Sequence, residues 1–457
     1  MKRREVLQWF GMAALSGCVS HESKNTSRTD EERNIKPIKH IKNTFSRKEY
    51  YAFKPWKTAE TLAPVTQVTP QGFSYVHTYF DVTPFSPSQR YLAVTRLPFD
   101  NQYPVLGDMA EVCVIDLEKQ CLQTVYRTKC WGYQTGANLN WGSTDRHLYA
   151  NDVIDGKAVC VGIDLQTTET LAYAGPLYTI RPDESCVLAF PHELRDVTQK
   201  GYGVPPKVLN SFAILPPGAS RDEGIWLTDL KTNDKRLLVS LADVAAKVPT
   251  PPPAEGGTYY FWHTKFNRQG TRLVQVLRYI HPDAPDVRNP MVFTFNPDGS
   301  DICYIPKTDR VGVWNAGGGH PNWHGDGVHI IRNMQPDGGE DSRFIQARYD
   351  GTEFKILCEK IKGGGHPSVE PNGKYLITDE RDEGNDVAVM KLRLIDLIAE
   401  EERCVCAIPT INRDNIEDKV FRLDGHPAWS RDYKKVSLQA APEGKRQLFI
   451  VDLDKVI

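Results

Sequence analysis

Gly317-Gly-Gly-His320-Pro-Asn-Trp323-His324-Gly-Asp-Gly327 opens a unit that the chain repeats. Worn copies stand at Gly364-Gly-His366-Pro-Ser-Val-Glu-Pro-Asn-Gly373 and at Asp424-Gly-His426-Pro-Ala-Trp-Ser-Arg-Asp432. Looser copies are Phe261-Trp-His263-Thr-Lys-Phe-Asn-Arg-Gln-Gly270 and His77-Thr-Tyr-Phe-Asp81. In each, a histidine is followed by a polar turn and then an apolar, β-rich run, such as Val328-His-Ile-Ile331 or Lys374-Tyr-Leu-Ile377. A unit of several strands recurring roughly every 45–60 residues is the signature of a propeller or a similar array.

Working outward, the remaining units fall into place. Trp131-Gly-Tyr-Gln134 opens a second unit and Tyr178-Thr-Ile-Arg-Pro-Asp183 a third. The third carries a long insertion from Phe190 to Arg221. Seven units result, so the predicted fold is all-β: a seven-bladed propeller of four-stranded antiparallel blades. The last unit runs out of residues after its third strand, Gln447-Leu-Phe-Ile-Val-Asp-Leu453. The segment Ala63–Ser74 is expected to supply the missing outer strand and close the ring, which removes exposed sheet edges. The helical candidates are short, Leu238–Ala246 and Leu394–Glu402.

With 40% apolar residues among 457, the composition is that of a globular protein, and a formal charge of −2 argues against nucleic acid as a bulk electrostatic partner. The leader has its own grammar. Lys2-Arg3-Arg4 precedes the apolar run Trp9–Cys18, the paired arginines read as a twin-arginine export signal, and Leu15-Ser-Gly-Cys18 resembles a lipoprotein cleavage box. The expected division is an export signal over 1–18, a polar flexible tether over 19–60 and the propeller over 61–457. The expected location is the periplasm or cell surface, with membrane contact only through a lipid on Cys18. Of ten cysteines, nine remain after Cys18, and their places in predicted strands suit buried free thiols. Cys404 and Cys406, two apart in a strand, are expected to share one face.

The opening residue of each blade starts the strand that lines the central channel. His77, His263, His320, His366 and His426 should therefore meet at one mouth. Converging imidazoles suit a divalent metal, Zn or Mn. The plainer reading is that each ring bonds a neighbour's backbone and locks its blade. The insertion in blade three is the second candidate, because it sets His192, Arg195, Tyr202 and Arg221 on a loop longer than a turn requires.

Taken together, His77-Thr-Tyr-Phe-Asp81, Trp131-Gly-Tyr-Gln134-Thr-Gly136, Gly201-Tyr-Gly203 before Gly224-Ile-Trp226, His263 and the His-Pro repeats resemble the propeller polysaccharide lyases. These include the oligogalacturonate lyases and the propeller-type ulvan lyases. The resemblance spans nearly everything after residue 60. It implies β-elimination on an anionic uronate polysaccharide or oligosaccharide. The sugar carboxylate is neutralised, a base removes the C5 proton, and an acid protonates the leaving oxygen. In the oligogalacturonate branch a His-held metal serves the carboxylate, and His263, His320, His366 and His426 are the possible ligands. In the ulvan branch Arg and His serve it, which makes Tyr202 the proton-transfer group and Arg221 or Arg195 the neutraliser, with His192 or His77 as base. Gln134, Asn138, Asn151 and Trp323 are the candidate substrate-binding residues. The chain departs from the pattern in blade two, where Asn138, Asn140 and Asn151 stand in place of a further histidine; asparagine hydrogen-bonds but cannot act as a base. The alternative is a non-enzymatic, lipid-anchored propeller that binds glycans or protein partners. A serine-peptidase propeller would need a Gly-x-Ser-x-Gly elbow, which the sequence lacks.

Overall fold

The computed structural model describes residues 37–42, 46–56, 61–199, 201–204, 216–248, 255–284, 287–288, 290–305, 319–336, 341–384, 387–413 and 416–457. The leader, Cys18 and the Pro-rich stretch 249–253 lie outside the described residues. Seven antiparallel sheets form a seven-bladed propeller, each running outward from the channel in chain order. Blades one to six begin with strands at Ser74–Val76, Asn140–Trp141, Thr179–Ile180, Thr258–Phe266, Asn322–Trp323 and Ser368–Val369. Blade seven begins at Ala428–Trp429.

The ring closes through the N-terminal segment. Val65–Gln67 pairs with the last strand, Gln447–Asp452, setting Val65 opposite Val451 and Gln67 opposite Phe449. The segment expected as a tether is partly sheet. Lys39–Ile41, Arg47–Tyr50 and Lys54–Trp56 add fifth strands to blades two, one and seven in turn. These strands are exposed but for half-buried Ile41, Glu49 and Trp56 and so look like linker, because an outermost strand has only one neighbour to pack on.

The repeated Ile/Thr-Asp-Leu triplets explain the outer hairpins. Asp116, Asp164, Asp229 and Asp396 each accept two backbone N–H groups from the turn that follows, at 2.7–3.1 Å. A side chain that replaces backbone acceptors in this way fixes a tight turn locally. Packed faces of adjacent blades bury the core, as where Leu438, Phe449 and Val451 of blade seven meet Leu392, Val405 and Ile408 of blade six.

Three local expectations are overturned. Leu394–Glu402 is strand, Asp396 turn and strand rather than helix. The other helix is shorter than expected, Leu241–Ala245, because Ser240 ends a strand and caps the helix with Asp243. Cys404 and Cys406 do not share a face: a bulge sets Cys406 opposite Leu392 and Cys404 opposite Arg393, so that Cys404 is exposed and Cys406 buried. All nine described cysteines are free thiols.

Candidate active site

Four of the blade openings use a strained backbone position. His263, His320 and His426 have φ of 59°, 54° and 45°. Residues with a Cβ rarely occupy this left-handed region, and strain of this kind concentrates at functional sites. His263 is also the extra residue of a bulge: Trp262 pairs with Val276 and Thr264 with Gln275, leaving the histidine out of the ladder. Asn138 occupies the same left-handed geometry in blade two, with φ of 57°.

The rings come together around Tyr79, which crosses the channel in the turn after His77. Tyr79 lies 5.0 Å from the His263 ring, 4.4 Å from His426 and 5.7 Å from His366. His366 is 4.0 Å from His320 and 4.5 Å from His426, and Phe80 lies 5.0 Å from His366. His77 is fully buried and neither ring nitrogen has an aligned hydrogen-bond partner, though the His426 backbone faces it. Burial pushes His77 and His320 down to about 3 and holds His263 and His426 well below the usual imidazole value. These four rings are therefore neutral at pH 7. Of the blade-opening rings, four have Nδ1 engaged: His320 with the Gly365 carbonyl at 2.8 Å, His366 with Asp379 at 2.9 Å, His426 with Gln439 at 3.2 Å, and His263 with the Tyr178 hydroxyl. The backbone-locking reading holds for one nitrogen of His320. Burial pushes Asp379 up, but His366 and His426 beside it bring it below the ordinary carboxylate range.

The blade-three insertion joins the same cluster. It contributes a helix absent from the sequence reading, Glu193–Thr198. His192 Nε2 donates to the Leu177 carbonyl at 2.7 Å, and its Nδ1 accepts from Arg195 at 2.8 Å. With both nitrogens occupied, His192 positions Arg195 and has no lone pair left to act as the base. Arg195 also donates to Thr135 and stacks 5.1 Å from the Tyr178 ring and 5.8 Å from Trp262. Tyr202 meets Trp262 edge-on at 5.1 Å, and its hydroxyl accepts from Arg422 at 2.9 Å. Arg422 in turn donates to Asp424 at 3.0 Å, and Arg278 lies 4.7 Å over Trp262. Burial raises the Tyr202 hydroxyl above the phenol value while Arg422 pulls the other way, so the group keeps its proton at neutral pH.

Several sequence candidates lie elsewhere. Arg221 is exposed, and the charge it faces is Asp243 within the short helix Leu241–Ala245. Asn138 donates to the carbonyls of Leu177 and Tyr178 at 3.0 Å, and Asn151 grips Leu177 through both its amide groups at 2.8 Å. Both bind blade three rather than face a ligand. Gln134 donates to the Arg422 carbonyl at 2.7 Å and holds that arginine's loop. Trp323 is buried and bonded to the Lys265 carbonyl, at the far end of the channel. The reading also missed Tyr79, Tyr178, Arg278, Asp379, Arg422 and Asp424. Tyr79, Tyr178 and Asp424 stood inside the quoted repeat units; the others carry no repeat signal.

Fold and site define a seven-bladed propeller whose channel mouth gathers neutral imidazoles, phenols and guanidiniums. No family model matches the chain, and no curated protein matches it. Solved structures do. Oligogalacturonate lyase from Vibrio parahaemolyticus superposes with a TM-score of 0.63 at 15% identity, over 90% of this chain and 99% of that one. An oligogalacturonate lyase in complex with manganese gives 0.63 at 17% identity, over 90% and 98%. At such identity the likeness is one of fold. A TolB from Acinetobacter baumannii reaches 0.36 at 11% identity, over 80% and 83%, too weak a superposition to bear on function.

Manganese in that second structure makes a metal worth testing here against the donors present. The engaged Nδ1 atoms and the unpartnered, buried Nε2 of His426 are the chemistry of metal-ligating histidine. The spacing is not: among the described residues no three His, Cys, Asp or Glu side chains lie close enough to hold one ion. The expected four-histidine metal centre therefore does not fit this arrangement, in which the rings pack against Tyr79 and against one another.

Proposed function

We propose that the chain is a lyase that cleaves uronate-containing glycans by β-elimination. The observation that carries this reading is the meeting of Arg195, Arg278 and Arg422 with protonated Tyr202 and the Tyr178–His263 pair around Trp262. A guanidinium is a planar, permanently charged partner for a carboxylate. Arg422 and Arg195 neutralise the sugar carboxylate, which acidifies the C5 proton. His263, neutral and oriented through Nδ1 by Tyr178, takes that proton. The electron pair forms the C4–C5 double bond, the C4–O bond breaks, and Tyr202 gives its proton to the leaving oxygen. Each proton transfer to a positioned group is worth ~10²–10⁴-fold in rate.

The test is ultraviolet absorbance of the unsaturated product after incubation with ulvan, oligogalacturonate and pectate. Activity should appear on at least one, and Tyr202→Phe should lower turnover ~10²-fold or more while leaving the fold intact. Absence of product from every uronate polymer, or full activity in Tyr202→Phe, would refute the assignment.

A further inference from the structure

The channel has a second mouth. Tyr79 and Phe80 divide it, and beyond them two cavities open where the first strands end and turn. One is about 400 Å³ and the other about 370 Å³, sharing a wall of Asp81, Thr83, Lys265, Phe266, Arg268 and Arg431. Volumes of this order suit small-molecule ligands. The histidines that open the blades line neither cavity.

At the wall sits a charge pair with spare capacity. The Asp81 side chain is 2% exposed, and Lys265 Nζ lies 2.7 Å from its Oδ2. Lys265, which also donates to the Pro321 carbonyl at 2.5 Å, reaches one carboxylate oxygen of Asp81, and the remaining lone pairs of that carboxylate have no donor. A buried carboxylate ordinarily accepts several hydrogen bonds, so these lone pairs call for donors from a ligand. The neighbouring ammonium disfavours a cation in that role, whereas hydroxyl groups fit it. Arg268 and Arg431 are exposed at the rim. Each is anchored by one bond to a main-chain carbonyl, Gly325 and Phe85, at 3.0 and 3.1 Å. With Lys265 they outnumber Asp81 and Asp145, the latter facing Arg431, leaving a positive excess for a carboxylate. Phe80, Trp323, Trp429 and Tyr433 add apolar walls that suit the face of a sugar ring.

We propose that this mouth is a second binding site, for a short acidic saccharide, whose hydroxyls meet Asp81 and whose carboxylate meets Arg268 and Arg431. The ligand class follows from this pocket and does not depend on the lyase reading. Calorimetric titration of the full-length chain with D-galacturonate, and with D-galactose as the neutral control, tests it. Galacturonate should bind at least 10-fold more tightly than galactose, and more weakly as salt rises. The double variant Arg268→Ala, Arg431→Ala should lose that preference, whereas Arg422→Ala, at the other mouth, should keep it. Galacturonate bound no better than galactose, or unchanged in the double variant, overturns the site. Unsaturated product in that case would leave the lyase reading standing, while binding without product would leave only this site.

Discussion

Arg195 is the residue whose surroundings leave least freedom. It is almost fully buried, bonded to His192 and Thr135, and stacked between Tyr178 and Trp262. Burial lowers its affinity for the proton, and the phenols around it partly restore that affinity. Lysine carries the charge without the planar fork. Arg195→Lys should therefore lower kcat/KM by about 10- to 100-fold, the equivalent of losing one charged hydrogen bond of ~1.5–3 kcal/mol; steady-state kinetics on the preferred uronate substrate would show it, and unchanged kinetics would place Arg195 outside the chemistry. Arg195 and Tyr202 were legible in the sequence because the insertion that carries them was too long for a turn. Arg422 and Arg278 were not. Arg422 sits on a connecting segment and Arg278 inside an ordinary apolar strand, and neither gains meaning until the ring brings blades three, four and seven together. Asn138 was read as a ligand group, and its amide is spent on Leu177 and Tyr178; sequence shows the residue type at a blade opening but not which neighbour claims it.

Among the elements, the clasp strand Val65–Gln67 decides whether the ring stays closed. It pairs with Gln447–Asp452, whose Phe449 is fully buried and meets Trp56 edge-on at 5.6 Å. Phe449 thus ties the last blade, the clasp and the fifth strand Lys54–Trp56 into one packed unit. Phe449→Ala should cost ~3–5 kcal/mol, with a cavity left where three strands meet. Urea unfolding would register this as a lower midpoint, and a loss under 1 kcal/mol would mean that closure does not depend on this packing. The clasp was readable because a ring with seven openings and an unfinished last blade needs a strand from the other terminus. The fifth strands were not, since nothing in a polar outer strand distinguishes it from linker. The same limit applied at Leu394–Glu402, a segment that reads as a short helix but holds the end of one strand, the Asp396 turn and the start of the next.

For the whole molecule, burying several imidazoles at one mouth sets how stability responds to pH. His77 and His192 are both pushed down to about 3, chiefly by burial, with Arg195 adding to the effect at His192. His320 is held at about 3 in the same way, and His263 and His426 are also lowered. In the unfolded chain these groups titrate near 6.5. Below that pH the unfolded state binds more protons than the folded one, so stability falls as pH drops, by about 1.4 kcal/mol per pH unit for each such histidine. Asp379 and Asp424 are held below the carboxylate range, and their contribution is lost only at lower pH, once unfolded carboxylates begin to protonate. The loss between pH 6.5 and about 5 therefore belongs to the histidines. Urea midpoints should be level above pH 7 and fall steeply from 6.5 to 5. His77→Leu offers the sharpest check, because His77 is fully buried and the polar group that acts on its ring is the His426 backbone. That variant should shed one histidine's share of the slope and gain on the parent as pH falls. A midpoint flat from pH 7.5 to 5, or a slope unaltered in His77→Leu, would mean that these rings take up protons within the fold.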